Sequence, residues 1–168
     1  TVGSYAFGEC GQVNSVILGK NIKSIEKGAY YNCSALKSID FSNSITDIGQ
    51  SAFAKCNSLK AISIEGNGAT KIGHNAFGEC KSLIQATIGD GVISLGDYLF
   101  SGCYNLKEVS IGNRISIIPY KLFEYCKNLK IISFGSGVDI FEEMVFGYDT
   151  KDFFLEAVYI HDLAAWCQ

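Results

Sequence analysis

Proline, methionine, tryptophan and histidine are scarce in this chain: one, one, one and two copies among 168 residues, against 18 glycines. Charge is thin too, at 18% of residues where globular chains carry roughly 25%. A glycine-rich chain that is 48% apolar and almost free of proline is neither disordered nor collagenous. Basic excess is missing as well: 14 Lys+Arg face 17 Asp+Glu, a net charge of −3, so nothing neutralises a phosphate backbone and nucleic acid is not an expected partner. The richest apolar stretch, Phe153 to Trp166, is interrupted by Glu156, His161 and Asp162. It falls short of the ~18 unbroken apolar residues that a membrane span needs. There is no initiator methionine and no basic-apolar leader at Thr1. The expectation is an excised fragment of a longer protein, whose localisation is not written at its start.

What is present is a period. Cys10, Cys33, Cys56, Cys80, Cys103 and Cys126 are separated by 23, 23, 24, 23 and 23 residues. Three residues before each stands an aromatic, Phe7, Tyr30, Phe53, Phe77, Phe100 and Phe123, and Phe146 continues the row with Asp149 in place of the cysteine. An apolar row, Ile25, Ile48, Ile72, Leu95, Ile118 and Phe141, runs five residues ahead of the aromatics. An L-x-x-I-x-I triplet follows each cysteine, as in Leu36, Ile39, Phe41 and Leu59, Ile62, Ile64; a seventh copy, Leu155, Val158, Ile160, is displaced by three residues inserted around Gly147 to Asp152.

Self-similarity at this period, with an L-x-x-L-x-L core, marks units that cannot bury their own apolar face and stack on their neighbours. The expected fold is an α/β repeat solenoid: a right-handed leucine-rich-repeat superhelix, with a parallel β-sheet on the concave face and short helical or irregular segments on the convex face. Residues 1–160 read as about six to seven coils of 23 residues, and 161–168 as the start of a following segment. Gly49, Gly73 and Gly96 sit where a tight turn calls for a permissive backbone, although Glu26, Pro119 and Glu142 occupy the same position in other coils. The extra residue of the 24-residue unit, at Glu65-Gly66-Asn67-Gly68, is expected in a loose surface turn.

The pattern C-x-x-L-x-x-I-x-I followed by V-x-x-I-G-x-x-A-F-x-x-C, seen almost throughout Cys33 to Cys56, resembles the BspA-like, Treponema pallidum-type leucine-rich repeat family. The resemblance covers Val2 to about Ile160. It implies a bacterial surface or secreted protein, extracellular in location. It also implies partners among host extracellular-matrix proteins, such as fibronectin and fibrinogen, or other cell-surface proteins. The tail His161 to Cys167 is similar to a segment found between repeat blocks in the family, which implies that the parent continues beyond Gln168 and that neither end is a natural cap.

The cysteine row favours free thiols over chemistry. Equivalent residues of stacked coils lie about 4.8 Å apart with parallel Cβ vectors, whereas a disulfide needs Cβ atoms converging at about 3.8 Å. No C-x-x-C or C-x-x-H pair starts a zinc site, so no metal and no cofactor is expected. Cys167 stands outside the row with no assigned partner. Two histidines, His74 in a turn and His161 beside Asp162, provide no nucleophile–base pair, and no G-x-S-x-G elbow accompanies them. The expectation is a protein without catalytic residues. The Gly66/Gly68 and Gly135/Gly137 pairs lack the third glycine of a phosphate cradle, with Lys71 and Ile140 in its place. Asn32-Cys33-Ser34 has the form of a glycosylation acceptor, but its cysteine belongs to the core row.

The outward strand positions remain. Between the two core aliphatics run Ile17, Asp40, Ser63, Thr87, Ser110, Ser133 and Tyr159, mostly small hydroxyls with Tyr159 the one residue of hot-spot type. Just after the leucine run Asn14, Lys37, Lys60, Ile84, Lys107, Lys130 and Glu156. The first row, from Asp40 on, is the candidate protein-binding surface. Lys37, Lys60, Lys107 and Lys130 are the candidate site for an acidic glycan, although lysines also serve to blunt sheet edges. A spacer without a ligand of its own is the third possibility.

Overall fold

The computed structural model describes residues 1–148 and 154–160. Along these the chain forms β1 (Ser15–Ile17), β2 (Ser24–Ile25), β3 (Ser38–Asp40), β4 (Asp47–Ile48), β5 (Ala61–Ile72), β6 (Gln85–Leu95), β7 (Glu108–Ile111), β8 (Ile117–Ile118), β9 (Ile131–Phe134), β10 (Ile140–Phe141) and β11 (Ala157–Ile160). Every pairing among them is parallel, coil against next coil, in a β-solenoid of about six turns. The L-x-x-I-x-I triplets form one strand flank and the apolar row ahead of the aromatics a second, shorter one. Strand alternation does the sorting: in β7, Val109 and Ile111 are buried while Glu108 and Ser110 face out.

The helical detail of the expected fold is not met: among the described residues the A-F-x-x-C flank is a run of turns, with no helix. The reason lies in the backbone. Two residues per coil, at the aromatic −2 and +2, take left-handed φ, as at Ser51 (53°) and Lys55 (64°), Asn75 (53°) and Glu79 (56°), Lys121 (52°) and Tyr125 (61°). Alternate N–H groups then leave the coil. Ser51, Phe53 and Lys55 donate to the carbonyls of His74, Ala76 and Gly78 at 2.9, 2.8 and 2.8 Å, while Ala52, Ala54 and Cys56 close turns onto Gly49, Ser51 and Phe53. A helix would have spent all six donors within the coil. Here half of them bond coil to coil, and buried backbone groups are satisfied as burial demands.

Two smaller expectations also change. Gly49, Gly73 and Gly96 lie outside the left-handed region; their necessity is close approach, since a Cβ on them would stand 2.7, 2.8 and 2.4 Å from backbone atoms of the preceding coil. The extra residue near Gly66 is absorbed inside the 12-residue β5, which pairs with β6 through register shifts between Ile64 and Lys71, and not in a loose turn.

The core is the sum of the rows. The aromatics stack ring on ring from Phe7 to Phe146, with centroids 5.2 to 6.2 Å apart, and Phe53, Phe77, Phe100 and Phe123 have no exposed surface. Each such side chain contributes ~1.5–3 kcal/mol by burial. Cys33, Cys56, Cys80, Cys103 and Cys126 are buried free thiols, and Cys10, in the first coil, is partly covered. His161, Asp162, Trp166 and Cys167, together with Asp149 and much of the Gly147–Asp152 insertion, lie outside the described residues.

Candidate functional site

The outward hydroxyl row is assembled by strand pairing. Ile17 sits opposite Asp40, and a second continuous ladder sets Ser63 opposite Thr87, Thr87 opposite Ser110, Ser110 opposite Ser133 and Ser133 opposite Tyr159. Tyr159 is 54% exposed. Ser63 donates to Glu65 Oε1 at 3.1 Å.

Two residues past Thr87, Ser110 and Ser133 stand Gly89, Gly112 and Gly135. A Cβ at Gly112 or Gly135 would lie 2.7 or 2.5 Å from the carbonyl carbon of the glycine one coil back. Because these positions carry no side chain, an open cleft of about 300 Å³ runs beside the hydroxyl row, lined also by Glu65, Asp90 and Asn113. Its far wall is a ladder of its own. Asp90 Oδ1 accepts the Asn113 backbone N–H at 2.7 Å, Asp90 Oδ2 accepts from Asn113 Nδ2 at 3.3 Å, and Asn113 Oδ1 accepts the Ser136 N–H at 3.0 Å.

The four lysines are exposed and fall into two neighbouring pairs. Lys130 N–H donates to the Lys107 carbonyl at 2.9 Å, while Lys60 and Lys107 are separated by the coil of Ile84, around which opens a shallow hollow of about 240 Å³. The Lys130 ammonium is paired with Glu156 Oε1 at 2.5 Å. The file is therefore interrupted once and partly neutralised at its end. Each lysine beside the cleft stands three residues, roughly 10 Å, ahead of its coil's hydroxyl, as Lys107 does ahead of Ser110 and Lys130 ahead of Ser133.

A third cluster, on the turn flank, was not singled out from the sequence. Lys121 Nζ lies 2.6 Å from Glu124 Oε1, both side chains 9% exposed, and 5.5, 5.4 and 4.1 Å from the ring centroids of Tyr98, Tyr120 and Tyr148. The Glu124 hydrogen bond holds the ammonium up at about 12. His74 extends the cluster through a 5.2 Å contact with the Tyr98 ring. The signal for it was available in the repeat register, at the positions two and three residues before the aromatic row and one and two after it. Among the described residues, no group of three or more His, Cys, Asp and Glu is placed to hold a metal ion. No helix among them is long and apolar enough to cross a membrane.

Parallel coils of 23 residues, stacked on a leucine–isoleucine strand flank and an aromatic–cysteine turn flank, define a leucine-rich repeat protein. The profile of the BspA type leucine rich repeat region matches in six copies over residues 1–83 and 62–160. The chain belongs to that family. A leucine-rich repeat protein from Bacteroides ovatus is similar at 31% identity and a TM-score of 0.74, over 82% of this chain and 35% of that one. The leucine-rich repeat protein of T. pallidum is similar at 29% and 0.72, over 81% of this chain and 66% of that one. The pneumococcal vaccine antigen PcpA shares the fold at 23% identity, a TM-score of 0.66, and coverage of 89% and 36%. No protein of the curated set matches. The chain thus spans about a third of the Bacteroides protein and two-thirds of the Treponema one.

Proposed function

We propose that the chain is a non-catalytic recognition scaffold of a bacterial surface or secreted protein, acting outside the cell and presenting its strand face to host matrix or other cell-surface proteins. One observation carries this reading. Asp40, Ser63, Thr87, Ser110, Ser133 and Tyr159 are held outward along the strands, and in β5, β6, β7 and β9 the alternate side chains, such as Ile62, Ala86, Val109 and Ile132, are buried in the core, which gives the outward row a rigid support. Membership of the BspA-type family supports the same reading, and a pneumococcal antigen with the same fold agrees with a surface location.

The test is binding of the purified chain to immobilised fibronectin, fibrinogen and bacterial surface proteins at low and high salt. Retention at high salt, lost on Tyr159→Ala, is the expected result. Binding that disappears with salt and with Lys37→Ala/Lys60→Ala/Lys107→Ala/Lys130→Ala would transfer the function to the lysine file and an acidic glycan. Silence on every surface would leave the chain a spacer.

A further inference from the structure

The cleft beside the hydroxyl row repeats in sequence as well as in space. Thr87-Ile88-Gly89-Asp90, Ser110-Ile111-Gly112-Asn113 and Ser133-Phe134-Gly135-Ser136 place, in three successive coils, a hydroxyl, a buried core residue, a bare glycine and a polar wall residue. The hydroxyls of Thr87, Ser110 and Ser133 bond to no other described residue, unlike that of Ser63, which Glu65 engages. The wall is already rigid, because each Asx side chain is tied to the next coil. Yet the Asp90 carboxylate, exposed at the rim, keeps lone pairs for a further donor. At one end the cleft stops on Glu65, where the side chain replaces the glycine. Past the other end, the exposed Tyr159 ring stands opposite Ser133.

We infer that this groove binds a neutral saccharide chain lying along the solenoid axis. Resting on the reading of the strand face as a recognition surface, this names a ligand class for its carboxyl-terminal edge. The chemistry selects the class. Two free lining hydroxyls, Ser110 and Ser133, with Thr87 next along the row, and an Asx wall offer hydrogen bonds coil by coil, about 4.8 Å apart, which suits a polymer offering hydroxyls at a regular interval. Two lining carboxylates, Glu65 and Asp90, with no lysine or arginine in the cleft, repel sulfated and uronic-acid chains. Apolar and Arg/Trp anchors of the kind a protein partner buries are missing from the lining, where Ile111 is the one apolar residue. Tyr159 provides a flat apolar face on which a sugar ring stacks. The saccharide is either a free polysaccharide or a glycan carried by a surface protein.

The experiment applies the whole chain to an array of neutral hexose and N-acetylhexosamine oligomers, their sulfated and uronic-acid counterparts, and one glycoprotein before and after enzymatic deglycosylation. Neutral oligomers are expected to bind independently of salt. Ser110→Leu, which fills the cleft from an exposed position, should cut that binding at least tenfold, and Tyr159→Ala by about tenfold. Ser133→Val, which deletes one hydroxyl while keeping the strand, is the second variant should Ser110→Leu lower the melting temperature. Loss of the glycoprotein signal on deglycosylation identifies the protein-borne source. Binding of neutral oligomers that ignores all three variants overturns the site, and preference for acidic oligomers that Lys107→Ala removes overturns the ligand class. Retained protein binding with no saccharide bound overturns this inference and leaves the scaffold reading standing. Silence toward proteins and saccharides alike overturns both.

Discussion

Cys80 Sγ donates a hydrogen bond to the Phe53 carbonyl oxygen at 3.2 Å, joining each thiol to the aromatic row one coil back. The same bond recurs from Cys33 to Phe7, Cys56 to Tyr30, Cys103 to Phe77 and Cys126 to Phe100, between 3.1 and 3.3 Å. The Phe7, Tyr30, Phe53 and Phe100 carbonyls also receive the N–H of the cysteine in their own coil, as Phe53 does from Cys56 at 3.3 Å. From Cys33 to Cys126 the cysteine row is thus a ladder of five donors that ties coils together, a use for these thiols that needs neither oxidation nor metal.

Burial is the main force pushing the Cys33, Cys56, Cys80, Cys103 and Cys126 thiols above their ordinary 9.0, well above it for Cys80 and Cys103. In the native state they stay protonated at pH values where the unfolded chain has lost those protons. Their contribution to stability is therefore complete below about pH 9 and declines as pH rises beyond it, by ~1.4 kcal/mol per pH unit for each buried thiol. Urea melts between pH 7 and 10.5 should show this decline, and Cys103→Ala should make it shallower.

Thiol reagents give a second readout. In native buffer at pH 8 the partly covered Cys10 should react far faster than Cys33, Cys56, Cys80, Cys103 and Cys126. After unfolding without reductant, the titre should approach the seven cysteines of the chain. A titre of one or three would restore the disulfide reading.

Stacking predicts unequal costs along the aromatic row. Phe77, with no exposed surface between Phe53 and Phe100, should cost ~3–5 kcal/mol on Phe77→Ala. Phe7 is 44% exposed and stacked on one side by Tyr30, so Phe7→Ala should cost about 1 kcal/mol. Equal losses in denaturant melts would argue against a linear stack.

Glycines should divide by what their missing Cβ would meet. At Gly112→Ala the new atom stands 2.7 Å from the Gly89 carbonyl carbon, a backbone atom that cannot step aside, and ~1–3 kcal/mol of stability should be lost. At Gly19→Ala nothing lies within 4 Å, and the change should stabilise by ~0.4–1 kcal/mol through the unfolded chain.

On the turn flank, Lys121→Met strands the buried Glu124 carboxylate beside three tyrosines. Its melting temperature should fall further than that of Lys107→Ala, whose side chain is exposed. The double change Lys121→Met/Glu124→Leu should recover most of the loss. Failure to recover would mean that the tyrosine contacts, and not the ion pair, carry the stability.

The period, the parallel stacking and the membership of every core row are legible in the one-dimensional pattern. Hydrophobic burial recurs once per coil, so any residue that repeats at 23 and stays apolar must face inward, as Ile48, Phe53, Cys56 and Leu59 do. The same periodicity names the outward rows, and Ser110 beside Ser133 needed only counting. Periodicity is silent about backbone conformation. Ser51 and Lys55 carry no mark of their left-handed φ, because that geometry is imposed by the donors of one coil reaching the carbonyls of the next. A helix was a fair expectation from local composition, and inter-coil hydrogen bonding overrode it. The glycine-floored cleft and the Lys121–Glu124 pair among Tyr98, Tyr120 and Tyr148 likewise exist only once coils are stacked. The cleft and the ring cage around Lys121 join residues 20 and more apart in sequence, such as Lys121 with Tyr98 and Tyr148, whose distances, burial and charge neighbours are set by how tightly one backbone lies on another.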